Sequence, residues 1–104
     1  QEQVELVYIK PEMVDYAVAL ITATRKHPMI LRGASPRATL SMTAMAKAVA
    51  FLNGRDYVVP EDVQAVFAQV IEHRLLLAPE AEAKGISANK LLQEILRKTS
   101  APRL

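Results

Sequence analysis

Three prolines, each placed directly before a stretch with helical apolar spacing, set the organisation that this chain can adopt. Pro11, Pro36 and Pro60 each lead into such a stretch. Because proline has a fixed φ angle and no N–H, it suits the first turn of an α-helix and disfavours the interior. The sequence therefore predicts helices that begin at these positions, and Ser35 is the expected N-cap of the second.

The ends of the predicted helices carry signals of their own. Pro28 should stop the first helix directly after three basic residues, 25–27. Gly54 is expected in the left-handed conformation just past the second helix, and residues 73–74 place cations in the last turn of the third. Ser87 is the expected N-cap of a fourth helix.

The second predicted helix, about residues 36–53, is apolar on nearly every face. A helix of that kind belongs in the centre of a bundle. Residues 75–86 are predicted to be a loop, and residues beyond 98 an unstructured tail. The fold class is therefore predicted to be mainly α, a four-helix bundle in one domain over residues 1–104, with an ordered core at about 4–98.

Two short segments have extended character, 4–9 and 57–59. Each runs into a Pro-Glu pair that begins a helix, so the two regions resemble each other weakly. We predict that the two segments pair as two very short strands.

Composition excludes several functional classes. With 13 basic and 11 acidic residues the net charge is +2, and the basic residues are spread along the chain, which argues against nucleic acid and anionic membranes as partners. The chain has no cysteine, and no apolar run approaches the roughly 18 residues of a membrane span. We therefore expect a cytoplasmic protein. Because the chain opens with Gln1 rather than methionine, we expect a fragment of a longer protein.

The sequence lacks the usual motifs of an enzyme. It contains no Gly-rich phosphate loop ending in Lys-Ser or Lys-Thr, no His-Glu-x-x-His metal motif and no Gly-x-Ser-x-Gly nucleophile motif. Residues 33–37 come nearest to the last of these, but Arg37 stands where the second glycine is required. We expect no metal site, no tightly bound cofactor and no hydrolysis of ATP by this chain alone.

Arg37 is the residue that a purely structural role explains least well. A cation in the first turn of a helix opposes the helix dipole at a cost of about 0.3–1 kcal/mol. The free N–H groups expected there, the guanidinium of Arg37 and a loop that Gly33 allows to approach closely would together suit a phosphate. The alternative is that Arg37 pairs with Glu12 or Asp56, or lies in solvent, and physical reasoning alone weighs the two about equally.

The other cations have simpler interpretations. Arg25, Arg32 and Arg55 are each better explained as solvated or ion-paired side chains. His27 and His73 fall at helix ends, where the dipole favours a cation, and are better explained as caps than as ligands.

Four motifs, in this order and at this spacing, resemble the C-terminal lid of MoxR-family AAA+ ATPases. They are TRKHP at 24–28, GASPRA at 33–38, NGRDYVVPEDV at 53–63 and HRL at 73–75. The likeness covers roughly residues 4–98, and the lids of magnesium-chelatase ATPase subunits are a related group.

The resemblance implies a function that composition does not show. By this match Arg37 is the sensor 2 residue, which reaches from the lid to the phosphates of ATP, with Ser35 and Gly33 beside it in the same motif. The family implies ATP with Mg²⁺ bound by a core domain, ring oligomers, chaperone-like remodelling and a von Willebrand factor A-domain protein as a partner. The absent core leaves nucleotide binding by this chain open. The alternative is a stand-alone helical module that binds partner proteins.

Overall fold

The computed structural model describes residues 2–103, and within them the fold is mainly α, as predicted. The elements, in chain order, are α1 (Glu2–Glu5), α2 (Pro11–Lys26), β1 (Ile30–Arg32), α3 (Ala38–Leu52), α4 (Pro60–Val70), a 3₁₀ helix (Ile71–Arg74), β2 (Leu76–Leu77), α5 (Pro79–Ala83) and α6 (Ala88–Lys98). None of the described helices is both long enough and apolar enough to cross a membrane.

Most of the predicted helix boundaries are confirmed. The helices α2 and α4 begin at Pro11 and Pro60. Gly54, just past α3, has a φ angle of +78°, the left-handed conformation that glycine adopts without steric cost. At the start of α6 the hydroxyl of Ser87 accepts a hydrogen bond of 3.2 Å from the N–H of Lys90, which makes Ser87 the N-cap.

Residues 75–86 are not the plain loop that the sequence predicts. Leu76–Leu77 pairs antiparallel with Ile30–Arg32 to form a two-stranded sheet. After it, Pro79–Ala83 forms a short helix whose Ala81 is buried. Elements of two and five residues are too short to show a hydrophobic period, so the pattern that identified the longer helices could not find them.

The predicted strand at 4–9 is wrong in its first half, because Glu2–Glu5 is helical. The predicted pairing of the two segments is confirmed at one point, where Tyr8 forms a single parallel bridge with Tyr57. Backbone hydrogen bonds of 2.8 and 2.9 Å join the two segments there. The bridge holds the segment that precedes α2 beside the segment that precedes α4.

The core lies between α2, α3, α4 and α6. Helix α3 packs against α2 and α4, and α6 packs across α2 and α4. The largest fully buried side chains come from all of these helices and from their flanking segments: Met13, Leu20, Ile21, Thr24, Met42, Val58, Val63, Phe67, Ile71 and Leu92.

Helix α3 is less central than predicted. Only one stripe of it is buried: Ala38, Met42, Ala46 and Ala50. On its other faces Leu40 is 71% exposed and Leu52 is 82% exposed, with Met45 and Phe51 also exposed. The apolar character of α3 on all sides therefore reflects an uncovered surface and not a position at the centre of this bundle.

A buried ion pair fixes the start of α4. Asp62 is 2% exposed, and its carboxylate accepts hydrogen bonds of 2.6 and 2.8 Å from the guanidinium of Arg55 and one of 2.9 Å from the N–H of Val59. Burial by itself would raise the pKa of the Asp62 carboxyl, but these hydrogen bonds outweigh it and hold that pKa below its usual value. The prediction that Arg55 is ion-paired is confirmed.

A second polar contact fixes the chain that follows β1 against α2. Thr24 is fully buried, and its hydroxyl donates to the carbonyl of Ile21 at 2.6 Å and accepts the N–H of Ala34 at 3.1 Å. Next to it, a Cβ added to Gly33 would lie 2.5 Å from the Thr24 carbonyl oxygen and 2.7 Å from the nitrogen of Arg25. Only glycine fits at this distance, so the backbone of residues 33–34 lies directly on the end of α2.

We expect Asp62→Asn to lower the free energy of unfolding at neutral pH by about 1–3 kcal/mol, because the charge-assisted hydrogen bonds from Arg55 and the N–H of Val59 lose their charged acceptor. Since the folded-state pKa of Asp62 is lowered, its contribution is complete above the unfolded value near 3.8 and is lost as pH falls through the folded-state pKa. Urea unfolding of the variant and the wild type across pH should therefore show two curves that converge only in acid. Glu61→Gln is the matched control, since Glu61 is an exposed carboxylate in the same helical turn. Equal stability of Asp62→Asn and wild type at neutral pH would contradict the interpretation.

We expect Thr24→Val to lower the free energy of unfolding by about 1–3 kcal/mol, because it leaves the buried N–H of Ala34 without a partner. Thr43→Val serves as a control. The hydroxyl of Thr43 also donates to a carbonyl three residues earlier, at 3.1 Å, but that bond is exposed. Chemical denaturation of both variants would check this, and equal effects would show that the Thr24 hydroxyl bond to Ala34 is not stabilising.

Candidate functional site

The turn that precedes α3 is built by Ser35. Its hydroxyl accepts the N–H of Arg37 at 3.2 Å, and its carbonyl accepts the N–H of Ala38 at 2.8 Å. Arg37 has helical angles, φ −62° and ψ −23°, but the regular helix begins only at Ala38. The predicted helix start at Pro36 is therefore two residues too early, and Arg37 occupies the N-cap position.

The backbone amides at this helix start are not free, which corrects one part of the predicted anion site. Besides the amides of Arg37 and Ala38, those of Thr39 and Leu40 donate at 3.1 Å to the carbonyls of Pro36 and Arg37. Residues 37–40 thus satisfy their N–H groups within the turn itself. The attraction of an anion to this helix start therefore comes from cationic side chains such as Arg37 and from the dipole of α3, and not from free amides.

The side chain of Arg37 is exposed and forms no ion pair with any carboxylate whose side chain the structure describes. Neither Glu12 nor Asp56, the two partners considered from the sequence, pairs with it. The guanidinium therefore keeps its hydrogen-bond donors available for solvent or for a ligand. Ser35 is also exposed, but its hydroxyl already serves the turn.

Arg37 shares a groove between α2 and the start of α3 with a second arginine. Arg25, in the last turn of α2, lines this groove with Arg37, Val18, Leu40 and four further residues. Arg25 also lines a neighbouring hollow formed by residues 31–36, where Arg32 lies. The groove and the hollow adjoin, because Arg25 and Pro36 line both of them.

Gly33 allows a close approach of the backbone, as the sequence predicts. The group that it approaches is the end of α2, however, and not a ligand. Its backbone contacts the carbonyl of Thr24 on α2. Gly33 therefore places the turn that carries Arg37 against α2.

The two histidines lie outside the groove. The Nδ1 atom of His27 accepts the N–H of Met29 at 3.0 Å, so its Nε2–H is the group that faces Glu94 at 3.1 Å. This hydrogen bond lowers the pKa of the Glu94 carboxyl and joins the end of α2 to α6. His73 is exposed near the end of the 3₁₀ helix. Both histidines lie at helix ends, as the sequence predicts, and no group of three His, Asp or Glu side chains that could hold a metal ion is found among the side chains that the structure describes.

Sequence reasoning did not identify Thr24 as a residue that positions the site. The sequence feature that could have identified Thr24 is its spacing, four residues after Leu20 and seven after Ala17, which places it on the buried face of α2. A polar residue in line with the apolar stripe of a helix indicates a buried hydrogen bond, because an unpaired hydroxyl there would be costly. The pattern cannot show that the partner is Ala34, ten residues away across a loop.

Comparison with known proteins agrees with this architecture. The family model described as the AAA lid domain matches residues 22–95. A crystal structure of a protein assigned as an ATPase, from Cytophaga hutchinsonii, superposes with a TM-score of 0.91 at 38% identity over 98% of this chain and 34% of that one.

Curated relatives place the likeness in a particular group of ATPases. The chain is 36% identical to the chaperone MoxR1 of Mycobacterium tuberculosis over 93% of its own length and 28% of the relative's. It is 35% identical to the uncharacterized protein YeaC of Bacillus subtilis, over 98% of this chain and 32% of YeaC. The chain spans about a third of the length of these relatives. It belongs to the AAA lid domain family, and the lid it represents is that of a MoxR-type AAA+ ATPase.

Proposed function

We propose that this chain is the sensor 2 lid of a longer MoxR-type ATPase and that Arg37 contacts the phosphates of ATP. The observation that carries the proposal is an exposed arginine, without an ion pair to any described side chain, on a turn that a buried threonine and a glycine hold against α2. A guanidinium presents a rigid fork of donors that matches phosphate oxygens, which makes arginine suited to this contact.

Arg37 donates hydrogen bonds to the γ-phosphate in this proposal. ATP with Mg²⁺, held by the core domain of the longer protein, supplies the phosphoanhydride bond that is hydrolysed. Because the neighbouring amides are occupied, the guanidinium is the group that distinguishes a bound γ-phosphate from its absence. The dipole of α3 adds attraction for the same negative charge.

The lid is expected to move as a rigid body when Arg37 loses its phosphate contact. The turn around Arg37 is joined to α2 through Thr24 and Ala34, and α2 is joined to α6 through His27 and Glu94. A displacement of Arg37 is thereby transferred to the bundle, and a ring of subunits would transmit it to a client protein.

The exposed apolar side chains support docking to the rest of the longer protein. Val18 and Leu40 are exposed beside Arg37, and Met45, Phe51 and Leu52 continue the apolar surface along α3. We infer the partners to be the core domain and neighbouring subunits in a cytoplasmic ring, with a von Willebrand factor A-domain protein as a further partner by family resemblance. The same surface also favours the second candidate, a module that binds other proteins without a nucleotide role.

Replacing Arg37 separates the two candidates. In the longer protein we expect Arg37→Ala to reduce kcat for ATP hydrolysis roughly 10- to 1000-fold while ATP affinity is largely kept, because a donor to developing charge is lost. Steady-state turnover and equilibrium binding of ATP, measured in parallel, check this.

The fold itself should not respond, since Arg37 is exposed and makes no side-chain hydrogen bond within the described residues. Equal melting temperatures of variant and wild type would establish that. Arg97→Ala is a suitable control because Arg97 is an exposed arginine on α6, away from the groove. Normal turnover of Arg37→Ala at all ATP concentrations would reject the sensor role and favour the interaction module.

A further inference from the structure

Arg25 is placed to act on the same ligand as Arg37. It lines the groove that Arg37 lines and also the adjoining hollow formed by residues 31–36. It is exposed and, like Arg37, forms no ion pair with a carboxylate whose side chain is described. An anion bound in this groove would therefore meet two cations that have no described carboxylate partner.

The helix dipole does not by itself explain this placement. Arg25 and Lys26 both lie in the last turn of α2, where a cation is favoured. Lys26, however, lines a separate hollow with His27 and Glu94. The two neighbours therefore share the dipole interaction, and only Arg25 borders on the groove of Arg37.

The spacing between Arg25 and the Arg37 turn is fixed by the backbone. The nitrogen of Arg25 lies 2.7 Å from where a Cβ on Gly33 would be, so the loop passes directly over this residue. The hydrogen bond from Ala34 to Thr24 fixes the next residue of the loop. The backbone positions of Arg25 and of the turn that carries Arg37 are therefore fixed relative to each other, which keeps both side chains within reach of one groove.

We propose that Arg25 is a second phosphate-binding arginine, which contacts the same nucleotide phosphates as Arg37. This inference rests on the proposed function and names a further residue of its site. Arg25 would strengthen ground-state binding through charge-assisted hydrogen bonds, whereas Arg37 acts mainly on turnover. The exposed methyl groups of Val18 and Leu40 in the groove exclude water from one side of these contacts and strengthen them.

The test compares Arg25→Gln with Lys26→Gln in the longer protein, by equilibrium binding of ATP in the presence of Mg²⁺. We expect Arg25→Gln to weaken ATP affinity roughly 10- to 100-fold, the equivalent of losing one or two hydrogen bonds to a charged group. Lys26→Gln should bind ATP as the wild type does. Unchanged affinity in Arg25→Gln, or an equal loss in both variants, would overturn the inference.

A second variant of Arg25 and the turnover of Arg37→Ala complete the test of the role of Arg25. If Arg25→Gln fails to fold, Arg25→Lys takes its place, and it should lose affinity because an ammonium cannot reproduce the bidentate fork. Wild-type affinity of Arg25→Lys in that case would overturn the inference. Turnover of Arg37→Ala separates this inference from the proposed function. Impaired turnover there with normal ATP affinity in Arg25→Gln would overturn only the role of Arg25, and normal results in both would overturn both.

Discussion

The contact between the backbone of Gly33 and the end of α2 determines where the candidate site lies. A side chain at position 33 would collide with the Thr24 carbonyl, so the loop can lie here only as glycine. The buried Thr24 hydroxyl then accepts the N–H of Ala34, which would otherwise be buried without a partner. These two constraints hold the turn that carries Arg37 against α2.

How far the sequence predicts this fold depends on the length of each element. Pro11 and Pro60 begin helices of 16 and 11 residues, and both starts are predicted correctly. These helices are long enough to show a clear apolar period in the sequence. The short elements at Leu76–Leu77 and Pro79–Ala83 have no period and depend on tertiary contacts. The same limit explains why the single helical turn Glu2–Glu5 is missed and its last two residues fall in the predicted extended segment 4–9.

For the candidate site, the sequence identifies the key residue, Arg37, but does not predict the hydrogen bonding of the backbone around it. The dipole argument and the family motif both single out Arg37, and the structure leaves it exposed and without an ion pair among the described side chains. The expectation of free amides at the start of α3 is wrong, because the amides of residues 37–40 donate to acceptors within the turn that Ser35 begins. A side-chain motif cannot reveal this, since it depends on the backbone conformation of residues 35–40.

The exposed apolar face of α3 is a second feature whose environment the sequence does not predict. A periodic pattern shows which side chains are apolar, but not whether their partner lies in the same domain. Ala38, Met42, Ala46 and Ala50 are small or flexible and allow close packing on α2 and α4, whereas the larger Leu40 and Leu52 face outward. Leu40 belongs both to this exposed apolar surface and to the groove that Arg25 and Arg37 line, whereas Leu52 lies at the far end of α3. The apolar surface and the groove therefore adjoin at the start of α3, where a partner that covers Leu40 would also exclude water from the two arginines.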